Sequence, residues 1–156
     1  MKNKGRIILY LLLGSFIIIQ LFPVDKNTSE EVSSSDFIAQ NPSLPDALKA
    51  TIKTSCYDCH SNNTIYPWYA KVAPFSWIIG QHIENGKHEL NFSEYGDLDK
   101  QKKISVLNKI CEVIEEGEMP PANYLMLHKD AVLDEDDTEA ICDWADGIAL
   151  FIMRNE

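Results

Sequence analysis

The chain has 156 residues, 45% of them hydrophobic, and a formal net charge of −10. That length holds one ordinary domain and a tail, and the composition suits a packed core rather than a disordered polymer. The acidic balance argues against nucleic acid as a partner, because phosphate backbones would repel it, and favours a partner protein with a basic docking surface.

Lys2, Lys4 and Arg6 precede an apolar run, Ile7 to Ile19, followed by Gln20, Leu21, Phe22 and Pro23. A basic flank before an apolar segment is the layout of an export signal. No Ala occurs before Ala39 to build a small-x-small cleavage site, and no Cys stands near the end of the run for a lipid anchor. Ile7 to Phe22 makes roughly 24 Å of helix at about 1.5 Å per residue, just short of a bilayer core, and snorkelling cations can cover the difference. Residues 1–24 are therefore expected to form an uncleaved signal-anchor with its amino end in the cytoplasm. The rest would lie on the periplasmic side of the bacterial inner membrane, or be exported if the leader is cleaved. Taking the three leader cations from −10 leaves that remainder at −13.

Residues 25–42 are polar, Ser-rich and without a clear period, which predicts a flexible tether. The globular part, residues 43–156, reads as all-α with long loops. A first helix is expected over about 44–54, with Pro45 in its first turn and Leu44, Leu48 and Ile52 on one face. A second over about 74–85 groups Phe75, Ile78, Ile79, His82 and Ile83, with Gly86 as its stop. A third over about 100–116 repeats Ile104, Leu107, Ile110, Cys111 and Ile114, and Gly117 follows its end. The last begins after Asp134, whose carboxylate can cap orphan amides, while Glu135, Asp136 and Asp137 suit the positive end of the dipole. Its inner face would be Ile141, Trp144, Ile148 and Phe151 or Ile152.

Between the first two helices stands Cys56-Tyr57-Asp58-Cys59-His60, a C-x-x-C-H sequence. Two thiols three residues apart on one helical turn lie on the same side. They can both form thioethers with the vinyl groups of haem, while the next residue brings an imidazole beneath the iron. A thioredoxin-like dithiol would expect a preceding strand and a βαβ surrounding, and a structural zinc site would want a second close pair of ligands. Cys111 and Cys142 do not form one. They fall on inward faces of two helices and would be either a disulfide or two buried thiols.

Met119 sits in Gly117-Glu118-Met119-Pro120-Pro121, where the prolines stiffen the backbone after the thioether. It is the candidate distal iron ligand, with His82 as its rival. His88 and His128 lie among polar residues and read as surface or propionate-side groups, and Met126 as packing. Trp68 and Trp77, in two aromatic clusters after the motif, either wall a haem pocket or fill the core. A carbonyl near Pro67 or Pro74 is expected to orient His60.

Taken together, C-x-x-C-H, YPWY, LNFSE and GEMPP resemble the haem-binding domain family of single-haem, cytochrome-c-like exported proteins, over about residues 45–144. Tyr95 stands where that family usually has Trp. The resemblance implies one covalent haem c on Cys56 and Cys59, His60 as proximal ligand and Met119 as distal ligand. It also implies a cytochrome-c-like fold in which the first and last helices pack together. The expected function is that of a membrane-tethered, outer-sphere electron carrier rather than an enzyme, reaching its partner by swinging on the tether. The alternatives are a haem-based sensor or peroxidase-like module with a labile sixth ligand, and a structural module without haem.

Overall fold

The computed structural model describes residues 2–29 and 31–155. It is all-α: seven α-helices and three short 3-10 turns occur, with no strand among the described residues. The helices are α1 (Lys2–Ile19), α2 (Phe37–Gln40), α3 (Asp46–His60), α4 (Phe75–Glu89), α5 (Lys100–Glu115), α6 (Ala122–Leu125) and α7 (Glu135–Arg154).

Helix ends follow the local chemistry. Asp99 and Asp134 accept from the amides of Lys102 and Asp137, capping α5 and α7 as short carboxylates do at a helix start. Gly117 follows α5 with φ +70, the left-handed conformation glycine adopts without a Cβ penalty. Two helices run longer than their patterns suggest. α3 continues through the C-x-x-C-H motif, and α4 passes Gly86 to end at Glu89.

The core gathers Phe37, Leu44, Leu48, Ile52, Phe92, Tyr95, Leu107, Ile141, Ala145 and Ala149. The most extensive helix pairing is α5 on α7, with α3 crossing α7 in a smaller contact. The expected pairing of first and last helices is thus present but secondary. On α7 the inner face is Ile141, Ala145 and Ala149, flanked by Trp144, Ile148 and Ile152, while Phe151 faces solvent.

Among the described residues no helix is long and apolar enough to cross a membrane. The expected single-span anchor falls short for a simple reason. α1 carries cations in its first turns and stops at Ile19, leaving Leu21 and Phe22 outside it. Its apolar stretch, Ile7–Ile19, is only about 20 Å long against roughly 30 Å of hydrocarbon.

The end of the leader, residues 20–24, and the described residues of the segment read as a flexible tether, 25–42, form a strap laid along the domain. The Gln20 side chain accepts from Ala73 N at 3.0 Å and donates to Ala73 O at 3.1 Å. Trp77 Nε1 donates to Phe22 O at 2.8 Å, and a Cβ on Gly80 would meet Val24 at 2.7 Å. Farther on, Phe37 is 1% exposed and packs with its ring 5.0 Å from Phe92 and 4.8 Å from Tyr95. The polar composition of 25–42 conceals this because the strap is held mainly by hydrogen bonds, which leave no hydrophobic period to read.

Candidate functional site

Cys56, Cys59 and His60 form the last turn of α3, with both cysteines present as free thiols. Burial, with Cys59 alongside, pushes the Cys56 thiol up to about 12, and burial with Asp58 alongside pushes Cys59 up to about 11. Both therefore stand as neutral thiols rather than metal-seeking thiolates.

The His60 Nδ1 atom lies 3.0 Å from Leu90 O. A carbonyl can only accept, so Nδ1 carries the hydrogen in this contact, the tautomer in which a neutral imidazole offers its Nε2 lone pair to a metal. The orienting carbonyl is thus Leu90, at the end of α4, and not one near Pro67 or Pro74. Phe92 sits edge-on to the His60 ring at 6.1 Å and stacks on Tyr57 at 5.2 Å. Ser93 Oγ accepts from Asn62 N at 3.0 Å, and Asn91 Nδ2 donates to Asn62 Oδ1 at 3.1 Å. The LNFSE segment is therefore the support of the motif's exit.

α4 reaches this turn because it carries no side chain at Gly86. A Cβ there would lie 2.7 Å from Cys59 O and 3.3 Å from Cys59 Cβ. The expected helix stop is instead a point of close approach between α4 and α3. Asp58, between the two cysteines, faces outward: its carboxylate accepts from Ile65 N at 2.9 Å and from Tyr124 Oη at 3.0 Å. Tyr57 Oη donates to Asp36 Oδ1 at 3.0 Å, so the strap grips the motif at that residue too. Burial first, then the Asp36 carboxylate, hold the Tyr57 phenol well above its usual range.

Met119 lies in the loop that closes α5, where the amides of Glu118 and Met119 both donate to Val113 O, at 2.9 and 3.1 Å. It is 39% exposed. Tyr124 on α6 returns this loop to α3, reaching Asp58 and lying 3.3 Å from Thr54 O. His82 is exposed on α4, where Ile83 alone is buried, so the expected inward grouping of Phe75, Ile78 and His82 does not form. His88 is exposed, as expected, but His128 stacks on Tyr124 at 4.0 Å and lies 3.4 Å from Tyr69 Oη. Met126 is exposed rather than packed. Trp77 is committed to Phe22 of the strap, while Trp68 is largely exposed with its ring edge-on to Tyr69 at 5.8 Å.

Cys111 on α5 and Cys142 on α7, the two helices that pair most extensively, are both free thiols and near enough to influence each other's ionisation. Burial, joined by acidic neighbours that include Asp146 and Glu115, raises both.

An apolar cavity of about 20 Å³ touches Cys56 from the core side; it has room for a water molecule, not a macrocycle. A groove of about 300 Å³ lies between strap and α4, but its lining, which includes Phe22, Val24, Lys26, Lys71 and Gly80, offers no Cys or His. Among the described residues no three His, Cys, Asp or Glu side chains converge as a bare metal site would need. The donor set at the end of α3 fits haem: two adjacent neutral thiols and an imidazole whose second nitrogen is already fixed.

Sequence reasoning missed Leu90, Gly86 and the strap. A main-chain acceptor and a close backbone approach have no side-chain signature, although LNFSE was visible as a motif. No curated protein and no solved structure matches the chain. The sequence model of one family, described as the haem-binding domain, matches residues 14–147.

Proposed function

The chain belongs to the haem-binding domain family, and from that premise we propose that it is a single-haem c-type cytochrome acting as an electron carrier. The observation that carries the reading is the His60–Leu90 contact beside the paired thiols of Cys56 and Cys59. Those thiols would bind the cofactor covalently, His60 Nε2 would be the proximal ligand, and Met119 the distal one. When bound, haem would supply a one-electron iron couple, and with His60 and Met119 both holding its iron it would suit outer-sphere electron transfer rather than catalysis at an open site.

The protein's own part is positional. Leu90 O directs His60, and Phe92, itself stacked on Tyr57, covers the ring edge-on with apolar surface. The return of Tyr124 to Asp58 and Thr54 supports Met119, five residues earlier, as the partner on the other side. The basic leader and exposed apolar surface of α1 support a place on the periplasmic side of the bacterial inner membrane, where haem is attached to such motifs.

The test is an optical spectrum of protein made in a host that attaches haem c, in both oxidation states, with an intact mass. The pyridine haemochrome should report two thioethers, and a weak near-infrared sulfur-to-iron band should vanish in Met119→Ala. A bare-polypeptide mass would sink the reading, and a band that survives the substitution would sink Met119. The partial exposure of Met119 favours one second reading, a sensor or peroxidase-like module with a labile sixth ligand. Rapid carbon monoxide binding to the reduced native protein would select it.

A further inference from the structure

The two elements that fix His60 are the exit of α3, which sets its backbone, and the end of α4, which supplies Leu90 O. A single strap residue touches both. Asn27 Nδ2 donates to Ser61 O at 2.7 Å and to Thr64 Oγ1 at 2.9 Å. Its Oδ1 accepts from Lys87 Nζ on α4 at 2.7 Å, next to the Gly86 that abuts Cys59. The main chain joins as well: Asn27 N donates to Tyr66 Oη at 2.8 Å, and Asn27 O accepts from Thr64 N at 3.1 Å. Both side-chain amide hydrogens and the amide oxygen are thus engaged.

Its partners are themselves tied to the motif. Thr64 Oγ1 donates to Asp58 O at 2.7 Å, and Ser61 Oγ donates to Tyr57 O at 2.8 Å. Ser61 is fully buried and Thr64 nearly so, and the carbonyls they satisfy belong to the last turn of α3, where carbonyl oxygens lack intrahelical donors. A second anchor sits beside the first, where Ser29 N donates to Asn62 O at 2.9 Å.

We infer that the strap is a working part of the site, and that Asn27 is a positioning residue which locks the exit of the C-x-x-C-H turn to α4 and so fixes the direction of His60. The role of His60 as iron ligand is the reading given above, on which this inference rests. A polar segment ahead of the domain would then be required for proper ligation, although it contributes no ligand.

The test compares full-length Asn27→Ala, Asn27→Asp and Ser35→Ala with the wild type. Asn27→Asp keeps an oxygen for Lys87, so the strap stays seated, but loses both donors. Ser35→Ala removes a strap bond to Asp97 of 2.7 Å that involves neither Asn27 nor residues 61–65, and serves as the control. Amide hydrogen exchange at residues 61–65 should quicken about tenfold in both Asn27 variants, the weight of roughly one lost hydrogen bond. Their visible spectra should gain high-spin iron, whereas Ser35→Ala should match the wild type in both readings. Unchanged exchange in the Asn27 variants, or an equal effect of Ser35→Ala, would overturn the inference. So would faster exchange with an unaltered haem spectrum, which leaves Asn27 merely structural. A wild type without haem would end the cytochrome reading, while the exchange comparison would still decide whether Asn27 locks the turn.

Discussion

Gly86 and Gly147 both interrupt long helices, and in isolation each should cost its helix about 1 kcal/mol relative to Ala. Their surroundings separate them. A Cβ on Gly147 of α7 would meet nothing within 4 Å, whereas one on Gly86 would press 2.7 Å from Cys59 O. Main-chain oxygen in a packed helix cannot swing aside, so overpacking of about 1–3 kcal/mol should outweigh the gain in propensity. Gly147→Ala is therefore expected to raise the urea midpoint and Gly86→Ala to lower it, in the same full-length background. Equal shifts in one direction would mean that α4 does not approach α3 as closely as the geometry requires. Nothing in the residue type distinguishes these two glycines; only the neighbouring helix does, which is why Gly86 reads from sequence as a stop.

At the scale of elements, the α5–α7 pair is what periodicity described best. The Ile104–Leu107–Ile110–Ile114 stripe and the Asp134 cap both follow from contacts within a turn or two. The same patterning put Cys111 opposite Cys142, and both lie on the paired helices as free thiols. In an oxidising compartment they are expected to pair, each losing a hydrogen while a protein disulfide of the exchange type accepts the two electrons. Closing a loop of this length should stabilise the domain by about 3–4 kcal/mol in the chain-entropy account. Intact mass after alkylation without reductant, and Tm with and without reductant, would check it; full alkylation of both residues in exported protein would refute the pairing. The site was legible only in its ligand-bearing residues. Cys56, Cys59 and His60 announce themselves by spacing, but the support of His60 comes from a carbonyl thirty residues away and from a strap with no hydrophobic pattern.

Over the whole molecule, the strap bears on how an electron would leave the carrier proposed above. Gln20, Phe22, Val24 and Asn27 bind the domain directly after α1, so the proposed haem site would keep a fixed station beside the helix instead of swinging on a free tether. Reach must then come from the partner's diffusion, and long-range attraction becomes the available means of speeding encounter. The chain beyond the leader carries −13 once the three amino-terminal cations are set apart from the total of −10. Opposite fields of this kind raise association rates by roughly 10- to 1,000-fold and fade as the Debye length shrinks, from about 30 Å at 0.01 M to about 10 Å at 0.1 M salt. Stopped-flow reduction of the haem-loaded chain by a basic redox protein is therefore expected to slow at least about tenfold across that range. A neutral small-molecule reductant should show almost no change, because it feels no such field. If the basic protein proved equally indifferent, the acidic surface would be serving solubility, and recognition would have to rest on the exposed apolar side chains around Ile65, Trp68 and Met126.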